Sequence, residues 1–310
     1  MLAARPVHRI CHRAGVNPIC RLLGCVALSS TFAALATALP HYDHVVVVIE
    51  ENHSLSEILG GHNPTPYLQF LANDGAYLEQ SFAIAHPSQP NYLALFSGST
   101  QGVIDDSVPE GTPYTTPNLG AELLAKGCSF AGFSQSLPQA GYNGKAFTPL
   151  EDQHRYMRKH NPWVNWQNVK PGPNQLPPTV NLPFEGAFPT QSNADFSVLP
   201  TVAFVVPDQR FDMHDGSIEA ADQWLRANIS NYASWARDHN SLLIITFDED
   251  DRSQENQITT IFYGAHVRPG GHPGKTDHYG ILRTLEDLFG LDHAGASATA
   301  TPVTSVFTDE

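Results

Sequence analysis

A serine between two prolines, His86-Pro87-Ser88-Gln89-Pro90-Asn91-Tyr92, lies ahead of the apolar run Leu93-Ala94-Leu95-Phe96, which reads as a helix. A helix start offers unpaired N–H groups and the positive end of the helix dipole, both suited to a bound phosphate. A hydroxyl there can act as a nucleophile, but only with help, because serine is weak at its free pKa. Help is available elsewhere in the chain. Glu51 and Asn52 follow an apolar run at 45–49, and Asp248, Glu249, Asp250 and Asp251 follow another at 242–247. Asp208, Asp212, His214 and Asp215 follow residues 201–206, and His160 and His278 stand apart. Carboxylates gathered at one place repel unless a cation lies among them. A divalent ion would relieve that repulsion, acidify a coordinated hydroxyl and neutralise a phosphoryl oxygen. Histidines can then hold the other oxygens or protonate a leaving alcohol. Each cluster alone also has an ordinary explanation. Ser88 can be an N-cap and turn residue, residues 248–251 a solvated charge run, Asn52-His53-Ser54 a glycosylation sequon, and His160 and His278 plain surface or core histidines.

Whether these groups meet depends on the elements that carry them. Residues 45–49 are four valines and an isoleucine, the pattern of a central parallel strand buried on both faces. Further strands are expected at 78–84, 129–133, 201–206, 242–247 and 259–263. Helices are expected at 67–74, 91–98, 119–126, 218–237 and 279–289, several closed by glycines at 75, 98, 127 and 290. This alternation predicts an α/β fold, an α/β/α sandwich around a mostly parallel central sheet. Ligands in such folds bind beyond the carboxyl ends of the strands, where all four polar clusters fall. Residues 137–195, rich in Pro, Asn, Gln and Gly, read as an irregular insertion covering that edge within a single domain spanning 39–310.

Of the 310 residues, 41% are hydrophobic and 15% charged, which excludes a disordered or fibrous chain. Arg5, Arg9, Arg13 and Arg21 precede an uncharged, largely apolar stretch ending in Ala36-Thr37-Ala38, so residues 1–38 read as a cleavable signal and the protein as secreted, extracellular or periplasmic. A membrane anchor, or lipidation at Cys25, are the other readings of this stretch. Without those four arginines the net charge of −14 becomes −18, which disfavours nucleic acid and anionic surfaces as partners. Only Cys128 lies beyond residue 38, so no internal disulfide is expected there, and a buried structural thiol is.

Taken together and in order, Glu51-Asn52-His53-Ser54, the Ser88 segment, Lys159-His160-Asn161-Pro162-Trp163-Val164, Asp212-Met213-His214-Asp215-Gly216-Ser217, Phe247-Asp248-Glu249-Asp250-Asp251, residues 260–267 and His278-Tyr279 resemble the phosphoesterase family of bacterial acid phosphatases and phospholipases C, within the alkaline phosphatase superfamily. The resemblance covers about residues 41 to 290. It implies the alkaline-phosphatase-like fold and a Ser88 that is transiently phosphorylated. It implies Glu51, Asn52, Asp248 and Glu249 as metal ligands, the ion being Mg, Ca, Mn, Zn or Fe. Asn91, His160, His214 and His278 would contact the phosphate or a second metal, with His214 and His278 serving catalysis and Asp215 orienting His214 beside the substrate. The implied substrate is a phosphate monoester, a small molecule or a phosphoinositide such as phosphatidylinositol 3-phosphate, reached by transient contact with a membrane surface and acted on by a monomer. A phospholipase C acting on diesters is the alternative, less expected because the chain stops soon after Gly290. A non-catalytic secreted protein that binds metal or phospholipid is the second alternative.

Overall fold

The computed structural model describes residues 39–148 and 155–308. The expected signal at 1–38 lies outside the described residues. In chain order the elements are β1 (His44–Glu50), α1 (Leu55–Leu59), α2 (Pro66–Asp74), β2 (Ala76–Phe82), α3 (Ser88–Ser97), α4 (Leu119–Ala125) and β3 (Phe130–Ser134). A two-stranded ribbon follows, β4 (Ala146–Phe147) and β5 (Tyr156–Met157), then the short strand β6 (Asn181–Pro183). The remainder is β7 (Val202–Val206), α5 (Ile218–Asp238), β8 (Ser241–Phe247), β9 (Gln257–Ile258), β10 (Thr260–Gly264), β11 (Gly270–Asp277) and α6 (His278–Leu288).

The central sheet runs β11-β2-β10-β8-β1-β7-β3-β6, with β9 pairing outside that path on β2. β8, β1, β7, β3 and β6 are mutually parallel, β2 and β11 are parallel to each other, and β10 is antiparallel to both β2 and β8. β1 is central because both its faces are apolar. Val45, Val47 and Ile49 pack into one core layer with α3, α4 and α6, while Val46 and Val48 pack into the other with α1, α2 and α5. Burying each such side chain contributes about 1.5–3 kcal/mol, enough to keep a strand of this composition inside. α5 is the reverse case. Its apolar positions Ala221, Leu225, Ile229, Tyr232 and Ala236 recur at helical spacing and alone are buried with their near neighbours, and Ser217 caps it by accepting the Ala220 N–H at 3.1 Å.

The expected α/β/α sandwich with a mostly parallel sheet is therefore the observed fold. Four details differ from the sequence reading. The helix expected at 91–98 starts at Ser88, so the candidate nucleophile is its first residue and Pro87 its cap. The stretch expected as an insertion at 137–195 contributes to the sheet. Its residues 181–183 add the edge strand β6 beside β3, and Trp163 fills the space over Gly132, where a Cβ would come within 2.1 Å of the indole. The strand β11 also escaped the sequence reading, because Gly270, Gly271, Pro273 and Gly274 erase its apolar alternation. Cys128 is partly, not fully, buried.

Candidate active site

The carboxyl ends of β1, β2, β7 and β8 share one edge, and main-chain bonds lock the segments that leave it. The Glu51 N–H donates to the Asp212 carbonyl at 2.8 Å and the Asp248 N–H to the Glu50 carbonyl at 2.9 Å. Side-chain parity then separates two adjacent acids. Glu50, the last strand residue, shares the face of Val46 and Val48 and is fully buried, with no partner for either oxygen. Burial, followed by the charges of Asp212, Glu51 and Asp222, pushes its carboxyl well above the usual range. Glu51 instead enters the polar cluster.

Ser88 is 2% exposed, and its hydroxyl lies 3.0 Å from Glu51 Oε2 and 3.3 Å from Glu249 Oε1. The other Glu51 oxygen accepts the Tyr92 hydroxyl at 2.6 Å and faces His160 Nε2 at 3.0 Å. His160 Nδ1 faces Asp212 Oδ2 at 3.2 Å, and the imidazole stacks on the Tyr92 ring at 5.3 Å. Asp248 Oδ1 accepts the Asn52 main-chain N–H at 3.0 Å, and the Asn52 amide donates to Glu51 Oε2 at 3.2 Å. Asn52 holds this position with a φ of 60°, a left-handed conformation that asparagine tolerates better than most residues. Behind Asp248, His278 Nε2 donates to the Asp248 carbonyl at 2.7 Å, and its buried Nδ1 is left without a partner. That bond puts the proton on Nε2, and burial holds the imidazole below its ordinary pKa.

His214 sits at the rim. Its Nδ1 meets Asp215 Oδ1 at 2.8 Å, and its Nε2 lies 3.4 Å from Lys159 Nζ. The tight turn that carries it needs Gly216, since a Cβ there would fall 1.8 Å from the Arg210 carbonyl oxygen. Asn91, expected at the phosphate, commits its whole amide to the main chain. Its Oδ1 accepts from the Ile84 and Ala85 N–H groups at 2.9 Å each, and its Nδ2 donates to the Ala85 carbonyl at 2.8 Å and the Pro87 carbonyl at 3.3 Å. In this geometry Asn91 shapes the loop that delivers Ser88. The helix terminus is also less open than the sequence suggests. Pro90 has no N–H, and the Gln89 N–H already donates to Asp106 at 3.1 Å.

Five side chains without an assigned role in the sequence reading belong to this network. His86 pairs with Glu249 Oε2 through Nδ1, and lies 3.3 Å from Asp250 Oδ1 through Nε2. Tyr92, Asp212, Lys159 and Asp106 are the others. His86 and Tyr92 lie within the Ser88 segment and Asp212 two residues before His214, so their neighbourhood was a signal. Asp106 had none, because its partner Lys159 is 53 residues away.

The electrostatics follow from packing three acids around one hydroxyl. Burial pushes Glu51 up, but His160, Lys159 and Tyr92 pull it further down, to about 2. Burial disfavours charge on His160, yet Glu51 and Asp212 raise it to about 9, so it is an imidazolium. Burial, then Glu51 and Glu249, drive Asp248 well above its ordinary value, and its Oδ2 is buried without a partner. Burial and Glu51 raise Glu249 to about 7. Hard oxygen donors this crowded, one of them orphaned, fit a divalent cation. Ligand atoms of Glu51, His160 and His214 also lie within 4.8 Å of one another, so these three form a possible metal site. Glu51 is common to that group and to the set expected from sequence.

Comparison with known proteins gives the family. The phosphoesterase family model matches residues 61–292. The phosphatidylinositol-3-phosphatase of Mycobacterium tuberculosis is 44% identical over 310 aligned positions, covering 99% of this chain and 97% of that protein. The phosphate-repressible acid phosphatase of Penicillium chrysogenum is 30% identical, covering 85% of this chain and 65% of that protein. Among solved structures, an alkaline phosphatase superfamily protein from Vibrio parahaemolyticus superposes with a TM-score of 0.58 at 14% identity, covering 88% of this chain and 72% of that one, a likeness of fold. With the match running through the segments that bring Ser88, His160, His214 and Asp248 together, this chain belongs to the phosphoesterase family.

Proposed function

We propose that the protein is a secreted, metal-dependent acid phosphatase that hydrolyses phosphate monoesters, phosphoinositides among them, through a phosphorylated Ser88. The observation that carries this reading is the Ser88 hydroxyl held between Glu51 Oε2 at 3.0 Å and Glu249 Oε1 at 3.3 Å on the first turn of α3. The relative at 44% identity, a phosphatidylinositol-3-phosphatase, supports the substrate class. Glu51, Asn52, Asp248 and Glu249 would hold the divalent ion, with His160 and His214 beside it facing the substrate. When bound, the ion supplies acidification of the serine hydroxyl and neutralisation of phosphoryl charge.

The chain's own groups do the rest. A neighbouring carboxylate takes the Ser88 proton as Oγ attacks phosphorus, and the bond to the alcohol oxygen breaks. His214, oriented by Asp215, stands where it can protonate the departing alcohol. Charge on the phosphoryl oxygens is met by the His160 imidazolium and the Lys159 ammonium. Water then attacks the phosphoserine, returning the proton to Ser88 and releasing inorganic phosphate.

The test uses the protein from residue 39 onward, an aryl phosphate monoester and the matching diester, with and without chelator. The expected result is monoester turnover that chelator abolishes and that Ser88→Ala reduces below about 1% of wild type, in line with the loss of a covalent nucleophile. Retention of substantial activity by Ser88→Ala sinks the nucleophile assignment. Preference for the diester moves the reading to a phospholipase C, and binding without turnover to a non-catalytic protein. Export belongs to the same proposal, and is checked by sequencing the N-terminus of the protein recovered outside the producing cell.

A further inference from the structure

Two donors that a phosphoryl group on Ser88 would need are already held by an anion. The Gln89 N–H is the next main-chain donor of the helix turn that begins at Ser88, and it donates to Asp106 Oδ1 at 3.1 Å. The Lys159 ammonium, only 9% exposed and 3.4 Å from His214, donates to Asp106 Oδ2 at 2.9 Å. One carboxylate therefore spans a helix-terminal amide and the cation of the site, the same pairing of donors that would bind two oxygens of a phosphate. Asp106 does not reach this place by chance of a loose loop. The buried Gln89 amide donates to the main-chain carbonyls of Asp105 at 2.8 Å and Ser107 at 2.7 Å, clipping the segment onto the start of α3. The Asp106 side chain itself is 32% exposed, so it can turn to solvent while its backbone stays fixed.

Resting on the phosphatase reading, we propose that Asp106 is an internal competitor for the substrate phosphate, occupying the Gln89 amide and Lys159 until a phosphoryl group displaces it, and so sets how weakly the site holds its substrate and its product. A phosphatase gains from such a device. Inorganic phosphate, the product, binds the same donors and would otherwise remain, whereas Asp106 returns to them when phosphate leaves. The alternative role of the same contacts is purely positional, with Asp106 holding Lys159 in place for the phosphate. The two roles predict opposite signs.

The experiment compares wild type with Asp106→Asn and Asp106→Ser, which are neutral but keep an oxygen acceptor for the Gln89 N–H. Calorimetric titration with inorganic phosphate, and KM and product-inhibition constants with an aryl phosphate, are the readouts, and thermal melts confirm that each variant is folded. The expected result is tighter phosphate binding and a lower KM in both variants, by about fivefold or more, the order expected on removing a like charge a few ångström from a bound anion. Unchanged or weaker phosphate binding in a folded variant overturns the proposal and makes Asp106 a positioning residue for Lys159. A wild type without turnover whose neutral variants still bind phosphate more tightly would sink the phosphatase reading and leave the competition standing. Normal turnover with unchanged phosphate affinity would do the reverse.

Discussion

At the scale of single residues, His86 shows how a site is held from behind. It lies between Glu249, which accepts the Ser88 hydroxyl, and Asp250, whose own place is fixed by the main chain. Asp250 Oδ1 accepts the Arg252 N–H at 2.8 Å and Oδ2 the Gln254 and Asn256 N–H groups at 2.8 and 3.0 Å. Asn256 in turn donates to the Ala85 carbonyl at 2.9 Å, one of the groups that Asn91 also grips. Rigidity thus passes from a tight turn through His86 to a candidate metal ligand. Groups that orient metal ligands typically matter by 10–100-fold in affinity. His86→Asn is accordingly expected to weaken divalent-metal binding by about that factor, measured by competition with a chromophoric chelator. Unaltered metal affinity would mean that Glu249 keeps its orientation without His86.

At the scale of elements, the site depends on how the insertion seats on the sheet. β3 presents Gly132 under the Trp163 indole, whose N–H donates to Asn181 at 2.9 Å, and Trp163 lies three residues after His160. Any side chain at 132 must push this indole, and with it the short helical turns that carry Lys159 and His160. Gly132→Ala is expected to cost about 1–3 kcal/mol by overpacking. The thermal midpoint should fall by several degrees and the catalytic rate should drop as well, because His160 moves away from Glu51. A variant with wild-type melting and rate would show that the indole can yield without consequence for the site.

At the scale of the whole molecule, an acidic chain buries several carboxyls outside the site as well as within it. Glu122 on α4 has a buried Oε2 without a partner, and burial, followed by Glu286 and Asp292 from α6 and the segment after it, raises it to about 8. A carboxyl raised in the folded state favours folding while it keeps its proton. Its contribution is fully present below the unfolded value of 4.5 and is lost as pH rises through about 8. Replacing it with the neutral Glu122→Gln should therefore leave stability near pH 5 almost unchanged and raise the melting temperature by a few degrees near pH 8.5. Equal melting temperatures for the two proteins at both pH values would show that Glu122 is solvated in the folded state. Glu122 lies away from the candidate metal ligands, whose titration bound metal would alter.

The layered α/β plan was legible in residues 45–49 and in the spacing of 218–237, because burial on two faces or on one helix face imposes a period that any sequence must display. So was the convergence of Glu51, Ser88, His214 and Asp248, because parallel strands place their carboxyl ends along one edge. Two things were decided only by the tertiary structure. One is the division of labour between Glu50 and Glu51, adjacent acids sent to opposite surroundings by strand parity at the end of β1. The other is the set of partners that no spacing encodes, Asp106 with Lys159 and His86 with Glu249, separated by 53 and 163 residues. Hydrophobic periodicity is local and survives in the sequence. Hydrogen bonds and charges act within a few ångström, so which of them pair is known only when distant segments are brought to one place.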